Sequence, residues 1–106
     1  MTEPTRLLRH VVLFKFKDET TPEQIAEIES AFRALPSQID AIHSFEWGTD
    51  VSVEGIARGY SHCFFLSFKN EEDRAIYLPH PAHKAFGQKL GPYKEQVLVL
   101  DYWSQS

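Results

Sequence analysis

The run LLRHVVLFKFK, from Leu7 to Lys17, constrains the fold more than any other stretch of the chain. It is rich in β-branched and aromatic residues, which sit well in strands. Read with the strand period of two, Leu8, His10, Val12, Phe14 and Phe16 share one side. Leu7, Arg9, Val11, Leu13 and Lys15 share the other. Both sides are apolar enough to need covering. YSHCFFLSFK, Tyr60 to Lys69, has the same property, with Tyr60, His62, Phe64, Leu66 and Phe68 set against Ser61, Cys63, Phe65 and Ser67. VLVLDYW, residues 97–103, reads as a further strand of this kind.

Helical segments alternate with these strands. In TPEQIAEIESAFRALP, Thr21 is a cap, Pro22 suits the first turn, and Gln24 stands three residues after Thr21 as in a capping box. Ile25, Ile28, Phe32 and Leu35 recur at helical spacing, and Pro36 is expected to stop the helix. Asn70 is the expected cap of a second helical region, where Glu71, Glu72 and Asp73 suit the positive end of the helix dipole. Pro79 and Pro81 interrupt that region, AHKAFGQKLG resumes it, and Gly91-Pro92 closes it. Another strand is expected over AIHSFEWGTDVSV, from Ala41 to Val53, before a connection from Gly55 to Gly59. Only residues 1–6 and 104–106 read as loose ends.

The resulting order, β-α-β-β-α-β, predicts an α+β fold of the ferredoxin-like kind: a four-stranded antiparallel sheet with its helices on one face. Two helices cover one face only. A second copy packed sheet against sheet would cover the other, so the pattern predicts a homodimer.

Composition narrows the partners. The chain has 106 residues, enough for one domain with its own core, and 7–103 reads as that domain. A net charge of -4 without any basic run points away from nucleic acid and from anionic membrane surfaces. The charges that interrupt each apolar run of the N-terminal segment leave neither a leader-like core nor a membrane span. Cys63 is the single cysteine, which excludes an internal disulfide and fits a reducing, cytoplasmic location. Its apolar surroundings suit a small hydrophobe better than a nucleophile.

Chemistry concentrates in YLPHPAHKAF, residues 77–86, which holds a tyrosine and two histidines around two prolines. His80 and His83 at i, i+3 could share a metal with His10, His62 or Glu46, but Pro81 distorts that spacing, and no metal is expected. His80, between the prolines, reads as a turn residue.

RHVVLFKFK, GYSHCFFLSF, YLPHPAH and VLVLDYW, in this order and spacing from about Arg9 to Trp103, resemble the stress-responsive dimeric A/B-barrel (Dabb) family. That resemblance implies a ferredoxin-like dimer, the dimeric α+β barrel. Its members range from plant stress proteins to a plant polyketide cyclase. Carried over residue by residue, the cyclase's catalytic tyrosine and histidine fall on Tyr77 and His83, and two pocket histidines on His10 and His62. A pocket tyrosine of the first helix falls on Phe32, so a hydroxyl is absent here.

The implied mechanism needs no cofactor. A histidine removes a proton α to a carbonyl, and a tyrosine hydroxyl stabilises the enolate oxygen that forms. Phe14, Phe32, Phe64 and Phe86, with Val12 and Leu66, are expected to line a pocket that also holds His10, His62, Tyr77 and His83. Its ligand would be small and apolar, phenolic or polyketide-like. The alternatives are a non-catalytic ligand-binding or stress-protective homodimer, and a cofactor-independent monooxygenase of the wider dimeric α+β barrel group.

Overall fold

A computed structural model describes residues 6–105. The chain runs β1 (Leu8–Phe16), α1 (Pro22–Gln38), β2 (Ser44–Thr49), β3 (His62–Phe68), α2 (Glu71–Tyr77), α3 (Pro81–Leu90) and β4 (Lys94–Trp103). The strands form one antiparallel sheet in the order β2-β3-β1-β4. This is the ferredoxin-like α+β arrangement, with the second helical region divided into α2 and α3.

The caps form as the sequence dictates. The Thr21 hydroxyl accepts from the Gln24 amide while the Gln24 side chain accepts from the Thr21 amide. Asn70 Oδ1 accepts from the Asp73 amide. Pro36 does not end α1, which continues to Gln38. A proline so near a C-terminus removes only one amide from the helix. Beyond it, the Ile39 amide still donates to the Leu35 carbonyl and Ser37 Oγ to Ala34 O.

β2 is shorter than the expected Ala41–Val53. The Ile42 amide turns back to Ile39 O before the strand, and Asp50 Oδ1 takes the Ser52 amide after it. The chain then turns through Gly55, Arg58 and Gly59, all at positive φ. β4 begins earlier than expected, at Lys94, because the Lys17 amide captures the Tyr93 carbonyl and extends pairing with β1. Of the expected loose ends, Arg6 and Ser104 are tied down: Arg6 Nε donates to Ser104 O, and Ser104 exchanges bonds with Leu7, whose amide donates to Ser104 Oγ and whose carbonyl accepts from the Ser104 amide. Residues 1–5 and 106 lie outside the described residues.

Leu8, Val12, Phe14 and Phe16 point to the helices, where Ile28, Phe32 and Leu35 of α1, Tyr77 of α2, and Phe86 and Leu90 of α3 meet them. His10 and His62 are buried on this same face. The other face is only half covered. Exposure is greatest along the edge strand β4, where Leu98, Leu100 and Tyr102 on this face are exposed, as are Val97 and Val99 on the helix side. Among the described residues no helix is long and apolar enough to cross a membrane.

Candidate active site

The two prolines of YLPHPAH do positional work. α2 ends at Tyr77, Leu78 closes it by donating to Arg74 O, and α3 restarts at Pro81. The His80 side chain caps α3, its Nδ1 accepting from the Ala82 amide. This sharp break folds His83 back against Tyr77, with ring centroids 4.3 Å apart. His83 Nδ1 lies 2.9 Å from the Leu78 carbonyl oxygen. A carbonyl only accepts, so Nδ1 carries the proton and donates, which leaves Nε2 with its lone pair free. His83 is half-buried and so can meet a ligand.

His10 approaches the same tyrosine from β1, at 5.6 Å between ring centroids. Antiparallel pairing places it opposite Asp101 of β4, and its Nδ1 donates to Asp101 Oδ1 at 2.7 Å. The other carboxylate oxygen accepts from Arg74 Nη1 at 3.0 Å. Asp101 thus sets the tautomer of His10 and is itself held by α2. Neither Asp101 nor Arg74 was assigned a role from sequence. The available signal was a lone carboxylate in the otherwise apolar VLVLDYW run.

Tyr77 is buried, and that burial, followed by the Asp101 carboxylate, raises its phenol well above the ordinary value of 10.0. It therefore stays protonated at neutral pH and suits a hydrogen-bond donor, not a phenolate base. The sign of the linkage follows. Below about pH 10 the group is protonated in both folded and unfolded chains and stability is unaffected. Above that, only the unfolded chain ionises, so stability falls as pH rises toward the folded value. The urea midpoint should accordingly drop more between pH 8 and pH 11 in the wild type than in Tyr77→Phe. Equal drops would contradict it.

His62 does not join this group. His10 pairs with Leu66 on β3, and His62 stands four residues earlier, opposite Phe14. That separation is about 13 Å along the strand. It instead bonds Glu29 of α1 and neighbouring Ser61, and it stacks on Trp47. The expectation of four polar groups around one pocket is thereby corrected. A shared strand face brought the histidines onto one side of the sheet, but at opposite ends.

Between them lies an aromatic layer. Phe32 stacks on Phe64 at 4.2 Å, Phe86 meets Phe32 at 4.8 Å, and Phe14 meets Phe64 at 5.4 Å. These four expected lining residues are all buried and in ring-to-ring contact. A concave pocket of about 520 Å³ lies elsewhere, toward the β2 side of the open face, and its walls include Leu13, Glu46, Trp47, Ser61 and Phe65. Cys63 also lines it, with its thiol pushed up by burial and by Glu46, which keeps it protonated. Both Nδ1 atoms of the His80/His83 pair are engaged with backbone, and no group of three ligating side chains occurs among the described residues.

Residues 8–104 match the Stress responsive A/B Barrel Domain (Dabb) family. The chain belongs to the Dabb family. Among curated Dabb relatives, the stress-response A/B barrel domain-containing protein HS1 of Arabidopsis thaliana is 38% identical, over 96% of this chain and 94% of its own length. Olivetolic acid cyclase of Cannabis sativa is 34% identical, over 90% of this chain and 94% of its own. Among solved structures, hydroxynitrile lyase from Passiflora edulis superimposes with a TM-score of 0.87 at 26% identity, covering 97% of this chain and 96% of that one. A dimeric protein of ferredoxin-like fold from Bacteroides fragilis gives 0.73 at 29% identity, covering 91% and 94%. The proteins this chain is similar to therefore include a stress-response protein and two kinds of enzyme, and fold alone does not choose between them.

Proposed function

We propose that this Dabb chain is a cofactor-independent acid–base catalyst of the cyclase or lyase type, acting on a small apolar, phenolic or polyketide-like ligand. One observation carries the reading: Tyr77 and His83 are in contact, with the histidine's proton tied to Leu78 O and its other nitrogen free. His83 Nε2 removes a proton α to a ligand carbonyl. Tyr77 donates its hydroxyl hydrogen bond to the oxygen that gains charge, and the resulting carbanion closes a ring by aldol attack or expels a leaving group. His10, oriented by Asp101, supports the same oxygen or the returning proton. The aromatic layer of Phe14, Phe32, Phe64 and Phe86 is packed shut without ligand, and in this scheme it opens beside Phe86 to form the apolar wall for the ligand's hydrocarbon part. In this scheme His62 marks the far end of that wall. Phe32 in place of a tyrosine favours a ligand with an apolar tail or ring there.

The names of two relatives, a cyclase and a lyase, support this class of chemistry. Screening linear poly-β-ketones and cyanohydrins for turnover tests it. Tyr77→Phe should lower turnover on the order of 100-fold while ligand affinity changes little, because the lost bond strengthens only as charge develops. Equal loss of binding and turnover would remove the hydroxyl from the mechanism. Binding without any turnover would leave a ligand-binding dimer as the function.

The functional unit we infer is a homodimer in a reducing cytoplasm, which suits the unpaired Cys63. Exposed β4 side chains make an apolar strip that water does not favour, and the half-covered sheet face continues it. A second copy seated there would bury roughly 1,600 Å². Sedimentation at micromolar concentration should give twice the chain mass, and substituting Leu98 and Leu100 by Glu should give the single mass. A wild-type chain that sediments as a monomer would overturn the assignment.

A further inference from the structure

The helix-free face of the sheet carries a hollow and a ridge at opposite edges. The hollow, of about 520 Å³, is the β2-side pocket. Gly48, Cys63 and Leu13 cross it as one row of paired residues on β2, β3 and β1, and the same row ends on β4 at Leu98. Glu46, Phe65 and Val11 make the next row on this face, which ends at Leu100. Gly48 opens the hollow because it has no side chain, and a Cβ added there would meet nothing within 4 Å. The loop after β2 stands as one wall, with Ile56 exposed on it. That wall is fixed within the single chain. Tyr60 Oη donates to Gln96 Oε1 at 2.9 Å, and Gly59, at positive φ, lies against the stem of Lys15. The ridge is Leu98, Leu100 and Tyr102 of β4, all exposed.

Two copies related by a two-fold axis make every contact twice, residue i on j and j on i. An axis running along the strands exchanges the two edges of the sheet and keeps each row at its own level. It sets Leu98 over the Gly48–Cys63 row of the other copy, and Leu100 over the Glu46–Phe65 row. We propose that each copy seats Leu98 and Leu100 in the hollow of the other, so that two ridge-and-hollow contacts flank the axis. This rests on the homodimer reading above and adds its register. Area decides against the other symmetric arrangement, in which the two ridges meet each other. Leu98, Leu100 and Tyr102, each about half exposed, offer on the order of 300 Å², since a large side chain carries roughly 150–250 Å². A stable dimer takes roughly 800 Å² from each partner, which the ridge reaches only together with the hollow and the face between them. Charge agrees with this register. The Arg9 guanidinium lies over Phe65 from the β1 side, and Glu46 stands opposite Phe65 on β2. The same axis turns Arg9 toward Glu46 of the partner subunit. It also brings the unpaired edge of β4 to the unpaired edge of β2, which removes both from water.

The first test uses the wild-type full chain, mixed from isotope-labelled and unlabelled copies so that NOEs between copies can be selected. We expect such NOEs from the Leu98 and Leu100 methyls to the Leu13 and Ile56 methyls and to the Phe65 ring. The second test fills the hollow. Gly48→Leu meets no atom of its own chain at the Cβ, so its far-ultraviolet circular dichroism should match the wild type. Its dimer dissociation constant, measured by sedimentation, should rise at least tenfold, because the added side chain occupies the place of Leu98. NOEs that join Leu98 and Leu100 only to their own counterparts overturn the proposal, since the ridges would then meet each other. So does a Gly48→Leu dimer as tight as the wild type. A wild-type chain that sediments as a monomer is a distinct failure, which removes the homodimer itself and the register with it.

Discussion

His83→Ala should cut turnover by about 10²–10⁴-fold, the span that general acid–base groups supply, and leave the fold unchanged. The reasoning is local. His83 stands in the first turn of α3, half-buried, with its ring on Tyr77 and its Nδ1 on the Leu78 carbonyl. It contributes no member to the hydrophobic core, which passes through Phe86 and Leu90 of the same helix. Circular dichroism and the thermal midpoint should therefore stay within a few degrees of the wild type. His83→Gln retains a donor for Leu78 O but offers no base, so it should be as inactive as the alanine variant. Unchanged turnover in either would transfer the proton-abstracting role to another group, with His10 the nearest candidate in the structure.

The second large effect concerns stability. Phe64→Ala should cost about 3–5 kcal/mol, the usual consequence of removing a fully buried ring. Domains of this size hold only about 5–15 kcal/mol in total, so the variant sits near the edge of folding. Phe64 is the hinge of the aromatic layer. It is fully buried, lies parallel to Phe32 at 4.2 Å, and meets Trp47 and Phe14 at 5.4 Å each. Urea unfolding at fixed protein concentration measures the loss through the midpoint. Phe64→Leu should recover much of it, because the leucine refills part of the void. A cost below about 1 kcal/mol for the alanine would mean that the layer collapses around the gap.

The strands and caps were legible because their signals are local. Alternation in LRHVVLFKF fixed which side chains face the helices, and Thr21, Gln24 and Asn70 announced the helix starts within four residues. Tyr77 and His83 were also within one short segment, so their meeting could be expected from the break between them. His62 was misplaced for a different reason. Periodicity reports which face a residue occupies and says nothing of how far along the strand it lies. Asp101, Arg74 and Glu29 were missed because their partners are distant in sequence: His10 and Asp101 are separated by 91 positions, and Glu29 and His62 by 33. Pro36 misled because a proline's effect depends on how many turns remain after it. At α1's last turn, few do.

The pairing of the first strand with the last has a consequence for biosynthesis. β1 lies between β3 and β4, and the Asp101 that orients His10 arrives on the final strand. While the chain is still being made, the first strand has one edge unpaired and the site has its tyrosine and histidines but not its carboxylate. Such long-range closure makes for slow folding and leaves an apolar edge open to wrong pairing until synthesis is complete. Nascent chains of this protein should therefore depend on chaperones until the VLVLDYW segment clears the ribosome, and fragments ending before it should aggregate without ever gaining activity.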